Sequence, residues 1–222
     1  MYTRGTMYKL HSFAQSGNAY KVAVLLQALK QPWTAVHMPF SDFVAGVPRS
    51  DTFRQDVNAM GEVPILEVGD RKLTQSAAIM IYLAEKHGAY RGQSDDERYE
   101  VLRWMFFDNH KFTSYFATMR FLKSFAPVAP DPGLMKFFVG RVENAFGIVE
   151  KHLSNREYMV GAQPTIADMS LCGYVYFPSA ESGVDIPQKY PAMARWAERL
   201  KSLPGWKPPY ELLPGEQVPP CW

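Results

Sequence analysis

The sequence predicts an α+β chain in which a mixed β-sheet flanked by helices precedes a wholly helical domain. Three observations predict it. Over residues 1–87, runs with β spacing and runs with helical spacing alternate in the order βαβ, helix, ββα. A polar stretch containing Gly88 and Gly92 follows His87. Beyond it only helical patterns recur. Domains are accordingly expected at residues 1–87 and 94–222, joined by a linker at 88–93.

Residues 8–13 read as the first strand, 20–29 as a helix and 33–38 as the second strand. Residues 39–50 contain Gly46 and Pro48 and read as loop, with a short helix expected at 52–57. Gly69-Asp70, between apolar runs at 64–68 and 72–74, is a hairpin signal. A helix at 76–86 is ended by Gly88. Residues 95–124 read as one long aromatic-rich helix, broken by the three prolines and the glycine of FAPVAPDPG. Phe138, Val142, Ala145, Val149 and Leu153 form the apolar stripe of the next helix. Thr165-Ile166-Ala167-Asp168 caps a buried helix running to about Tyr176, and another helix covers 191–203. Eight of the 17 prolines lie beyond residue 186, so the last fifteen residues are expected to form an irregular tail.

Composition narrows the function classes. With 222 residues, 47% apolar and 21% charged, the chain is long enough for a sizeable core and two small domains. A net charge of +2 argues against nucleic-acid or membrane-surface partners. No apolar run reaches the roughly 18 residues of a spanning helix, and no secretory signal is expected, since the first residues lack a basic start followed by an apolar core. Cys172 and Cys221 are far apart, which fits a reducing cytoplasm and excludes a metal framework built on cysteines. No metal is expected.

Three short segments carry chemistry. Ser16-Gly17-Asn18 lies between a strand and a helix, where backbone N–H groups and the helix dipole favour an anion. Ser16 offers a hydroxyl donor and Asn18 an amide donor; Ser16 also reads as a plain helix cap. Pro64 opens a strand, which suits an edge position or a special turn. If the Val63-Pro64 bond is cis, the N–H and C=O of Val63 become available to an extended peptide. Gln75-Ser76 opens a further helix and suits an α-amino carboxylate, or simple capping by Ser76. Together they outline a pocket for a small peptidic anion ending in a thiolate. Lowering a thiol pKa of about 8.5 by two units takes roughly 2.7 kcal/mol of preferential thiolate stabilisation. A hydroxyl, an amide and a helix dipole supply that order of energy.

In this order the segments resemble the cytosolic glutathione S-transferase family, bacterial serine-type (theta, zeta or nu-like), over essentially the whole chain. YKLHSFAQSGNAYKV is similar to the family's first strand and serine turn. NAMGEVPIL is similar to its cis-proline segment, QSAAIMIYL to the γ-glutamyl loop and following helix, and TIAD to the capping motif of the second domain. The resemblance implies a thioredoxin-like N-terminal domain (βαβαββα), a helical-bundle C-terminal domain, a homodimer and glutathione as cosubstrate. It implies that Ser16 activates the thiol, with Asn18 as a second catalytic group. By it, Val63 and Pro64 hold the cysteinyl backbone, and Gln75 and Ser76 the γ-glutamyl end. Glu62 stands where relatives often place a lysine, so Arg54 and His37 are the candidates for the glycine carboxylate. The zeta-type isomerases usually carry Ser-Ser-Cys where this chain has Ser16-Gly17-Asn18.

The electrophile is expected between the domains, against Phe13 and the helical residues His110, Phe112 and Tyr115; core packing is the other reading of that aromatic stripe. The expected activity is conjugation of glutathione to a hydrophobic electrophile. Glutathione-dependent disulfide or peroxide reduction and a non-catalytic transferase-like binding module are the alternatives.

Overall fold

The computed structural model describes residues 7–222. They form two compact units: residues up to His87 together with Leu203–Gln217, and Gly88–Ser202 together with Val218–Trp222. The tail was expected with the helical domain; residues 203–217 instead pack with the first unit.

In the first unit, β1 (Tyr8–Ser12) leads through α1 (Gly17–Ala28) to β2 (Trp33–His37). β3 (Ile65–Val68) and β4 (Arg71–Thr74) form the hairpin around Gly69, and α4 (Ser76–His87) closes the unit after α2 (Phe40–Ala45) and α3 (Asp51–Asp56). The described sheet has the order β2-β1-β3-β4, with β1 parallel to β2 and antiparallel to β3. Residues of β1 alternate, Tyr8, Leu10 and Ser12 facing inward, as a strand of period 2 requires. Helix α1 is buried almost all round, because it packs on β1, α4 and the returning tail. In that tail, α12 (Pro209–Leu212) contacts α1, and Tyr20 Oη donates to the carbonyl of Lys207 at 2.9 Å.

The loop expected at 39–50 is a correction. It folds as α2 followed by a 3₁₀ turn at Val47–Arg49, with Gly46 at φ +84° ending the helix. Phe40 and Phe43 lay their rings 5.2 and 5.1 Å from that of the buried Phe13, and this packing overrides the local Gly and Pro signals.

The second unit is helical: α5 (Asp95–Phe107), α6 (Thr113–Ser124), α7 (Pro132–Leu153), α8 (Ile166–Leu171), α9 (Ser179–Ser182), α10 (Ile186–Lys189) and α11 (Pro191–Leu200). The single helix expected over 95–124 is interrupted by a π-helical turn at Asp108–Phe112. There the fully buried Asp108 carboxylate accepts from Thr113 Oγ1 and Ser170 Oγ, each at 2.5 Å. Meeting both hydroxyls turns Asp108 inward, and the extra residue of the π turn accommodates it. Thr165 and Asp168 form a capping box, and Asp168 also accepts from Met159 N and Trp196 Nε1. The helix begun there ends at Leu171 and continues as a 3₁₀ turn over Cys172–Tyr174. Arg120 and Glu181, both buried, pair at 2.5 Å.

Candidate functional site

One end of the sheet gathers the three chemical segments. The register His11↔Ile65↔Thr74 places the residues after β1, before β3 and after β4 together, and Ser12↔His37 brings the end of β2 there too. This follows from topology: antiparallel neighbours put the exit of one strand beside the entrance of the next.

At that end the chain turns from Phe13 to Ser16, whose N–H donates to the Phe13 carbonyl at 3.0 Å. Ser16 is 5% exposed and caps α1, its Oγ accepting from Ala19 N at 3.1 Å. Among the described residues its hydroxyl proton has no acceptor, so the group remains a donor. Asn18, half-buried, accepts from Ser76 Oγ through Oδ1 at 3.5 Å, which leaves the donors of its amide unspent among the described residues. Ser76 is the first residue of α4 and is buried. The first turns of α1 and α4 thus converge, and neither contains an acidic side chain. Their partial positive charges are left for an anion.

The Val63-Pro64 bond is cis. Pro64 precedes β3, an inner strand, so the edge-proline reading is excluded and the special-turn reading stands. Neither the N–H nor the C=O of half-buried Val63 makes a hydrogen bond among the described residues. Gln75 sits at φ +65°. Its amide donates to Glu62 Oε2 at 2.8 Å and to Met60 Sδ at 3.1 Å, tying the start of α4 to the turn before Val63.

Beside that turn lies a cavity of about 280 Å³ lined by Phe43, Pro48, Arg49, Arg54 and the turn Met60, Gly61 and Glu62. Neither arginine forms an ion pair with a described residue, and Glu62 is the sole acid in the lining. Gly61 has φ +67°, and a β-carbon there would lie 2.5 Å from the Pro48 carbonyl oxygen and 3.2 Å from Arg54 Nε. Arg54 therefore lies over Gly61, held where a side chain would displace it. Sequence reasoning named Arg54 but missed Arg49, whose only local signal was a basic residue after Pro48. His37, the other candidate, stands against Gly215 instead, its Nε2 3.2 Å from where a β-carbon would be.

The other named residues are dispersed. Phe13 is buried beneath α2. Phe112, 1% exposed and stacked on Phe146, is core of the second unit, the packing alternative for that stripe. In the same unit His110 is exposed in the π turn, and Tyr115 meets Phe138 edge-on at 6.4 Å, near Arg141. Cys172 is buried and Cys221 exposed, and neither forms a disulfide. Among the described residues no three His, Cys, Asp or Glu side chains gather as a metal site, and no helix is long and apolar enough to cross a membrane.

Comparisons with known proteins agree with this arrangement. The family model described as glutathione S-transferase, N-terminal domain, matches residues 10–92, and that of the C-terminal domain matches 107–208. Glutathione S-transferase F14 of Arabidopsis thaliana is 27% identical over 177 residues, which is 75% of this chain and 70% of the relative. A glutathione S-transferase structure from Xanthobacter autotrophicus Py2 is 30% identical with a TM-score of 0.79, covering 90% of this chain and 95% of the other. A possible glutathione S-transferase from Rhodopseudomonas palustris is 31% identical with a TM-score of 0.77, covering 91% and 97%. Such identity across nine-tenths of the chain, with both domains matched in order, means that this chain belongs to the glutathione S-transferase family.

Proposed function

We propose that this protein is a glutathione transferase that binds glutathione at the common end of β1, β3 and β4 and lowers the pKa of its thiol. The observation that carries the reading is the convergence of two helix starts, with unspent donors on Ser16 and Asn18 and no acid in either first turn. In the proposed arrangement the cysteinyl backbone pairs with Val63 N–H and C=O as a short antiparallel strand. The γ-glutamyl carboxylate meets the N–H of Ser76 and the other first amides of α4, while the Ser76 hydroxyl stays on Asn18. Arg49 and Arg54 take the glycyl carboxylate.

The chemistry is nucleophilic substitution or addition by the cosubstrate's sulfur. The thiol gives its proton to solvent, and Ser16 Oγ–H and Asn18 Nδ2–H donate to the resulting thiolate. The sulfur then attacks an electrophilic carbon of a hydrophobic substrate; with an aryl chloride a C–S bond forms and chloride leaves. No residue of the protein is oxidised or acylated.

A homodimer acting in cytoplasmic detoxification is part of the proposal. Tyr99, Leu102 and Phe106 project from α5 at helical spacing with large exposed areas, a stripe that a second copy would cover. A sedimentation measurement that found only monomer at micromolar concentration would remove that part.

Glutathione-dependent disulfide reduction is the alternative reading and would use the same site. The first unit contains no cysteine, so any mixed disulfide must form on glutathione itself, beside the free donors of Asn18. Turnover of an aryl chloride compared with a small glutathionyl disulfide separates the two. The thiolate absorbance of bound glutathione, titrated with pH, tests both: a bound thiol titrating with free glutathione would end the proposal.

A further inference from the structure

The turn that carries Ser16 is fastened from the far end of the chain. Gln15, the preceding residue and 3% exposed, donates from Nε2 to the backbone carbonyl of Glu216 at 2.6 Å. Beside that bond Gly215 adopts φ +110°, and a β-carbon there would meet His37 Nε2 at 3.2 Å and Ala14 Cβ and N at 3.7 Å. Ala14 is fully buried and Leu213 nearly so. The segment 213–216 therefore lies directly on Ala14 and Gln15. Further back, Gly205 lies against Gln27 and the Lys207 carbonyl holds Tyr20, so the same tail also runs along α1.

The bonds of Ser16 itself run back to Phe13 and forward to Ala19 and Tyr20 in the first turn of α1. None of them reaches a strand. The tail supplies an anchor, on the side where the chain leaves β1. We infer that the 213–216 segment sets the position of the Ser16 hydroxyl, and that Gln15 and Gly215 are positioning residues for thiol activation. The inference rests on the proposed role of Ser16. Misplacing a catalytic group by about 1 Å costs on the order of 10²-fold in rate, so a clamp on the adjacent residue has leverage on turnover. Gly215 is needed because its φ of +110° is one that side-chain-bearing residues rarely adopt, and a β-carbon would also crowd His37 Nε2 at 3.2 Å.

The test compares wild type, Ser16→Ala, Gln15→Met and Gly215→Ala. Each is titrated for the thiolate absorbance of bound glutathione and assayed with an aryl chloride. Gln15→Met keeps the side-chain volume and removes the amide, and with it the bond to the Glu216 carbonyl. It should move the bound-thiol titration up by about one pH unit and lower kcat about tenfold near neutral pH. Its KM for glutathione should stay within about twofold, a split that general loosening of the fold would not give. Gly215→Ala should do the same; if it does not fold, Gln15→Met decides alone. Should Ser16→Ala shift while Gln15→Met titrates with wild type, the clamp is refuted and the role of Ser16 survives. If Ser16→Ala itself titrates with wild type, the underlying reading fails and the inference falls with it.

Discussion

Ser76 Oγ lies 3.5 Å from Asn18 Oδ1, joining the first turn of α4 to the first turn of α1. The bond fixes how the Asn18 amide is used. With Oδ1 taken by the Ser76 hydroxyl, both N–H donors of Asn18 remain for a ligand. Two helix starts then present the same sign of partial charge to one volume, an arrangement that disfavours itself until an anion arrives.

Ser16 has two duties that substitution can separate. As a helix cap it stabilises the fold by about 1 kcal/mol relative to alanine, whereas glycine at such a position costs only a few tenths. As a donor it is lost equally in both. Ser16→Gly is therefore expected to keep a melting temperature close to wild type while raising the pH at which bound glutathione ionises. Ser16→Ala should show the same titration and a lower melting temperature. Equal titration of wild type and Ser16→Gly would assign the hydroxyl to capping alone.

Asn18 should respond to charge more than to deletion. Asn18→Asp can still accept from Ser76 but sets a carboxylate beside the thiolate, and a like charge at such range shifts a pKa by about 1–3 units. Asn18→Ala removes a neutral donor only. The expected order of bound-thiol pKa is wild type, then Asn18→Ala, then Asn18→Asp, with kcat near neutral pH falling in the same order. Ser16 is the drier of the two groups, so Asn18→Ala is expected to cost less than Ser16→Gly.

What the sequence made legible was local. Ser16 and Thr165 each accept from a first-turn amide of the helix that follows, as capping patterns over three or four residues allow. Strand spacing and the Gly69 turn set the β3–β4 pairing. The illegible parts depend on distant partners. The π turn at Asp108 answers Ser170, sixty-two positions away, and α2 forms because Phe13 receives Phe40 and Phe43. Gln15 reads as an unremarkable polar loop residue until Glu216, 201 positions later, is brought beside it. Arg49 joins Arg54 only once Gly61 lets the backbone of Pro48 approach.

Arg49 and Arg54 predict a ligand-specific effect. Both line the cavity beside Gly61 and lack an acidic ion-pair partner among the described residues. Charge-assisted hydrogen bonds contribute about 1.5–3 kcal/mol each, so Arg54→Ala should raise KM for glutathione about tenfold or more with a smaller change in kcat. The same variant should discriminate little between glutathione and its glycyl amide, whereas wild type should prefer the acid. If wild type binds acid and amide alike, the cavity does not hold the glycyl carboxylate.

His87 makes a prediction about stability against pH. Its Nε2 shares a hydrogen bond with Tyr8 Oη at 2.9 Å, and burial, with a smaller contribution from the Lys86 charge, holds its pKa below the usual 6.5. The folded state therefore prefers the neutral ring, and between the lowered folded value and 6.5 the unfolded chain binds more protons. Stability from this group is complete above about pH 6.5 and is lost as pH falls through that window, with no further loss below it. His152, its ring tilted against that of Trp104 at 4.5 Å and its pKa likewise depressed mainly by burial, acts in the same direction. The melting temperature should fall as pH drops from about 7.5 to about 5. His87→Gln should flatten part of that fall, and adding His152→Gln should flatten more of it. A fall in the double variant as steep as in wild type would place the acid sensitivity elsewhere, among the carboxylates.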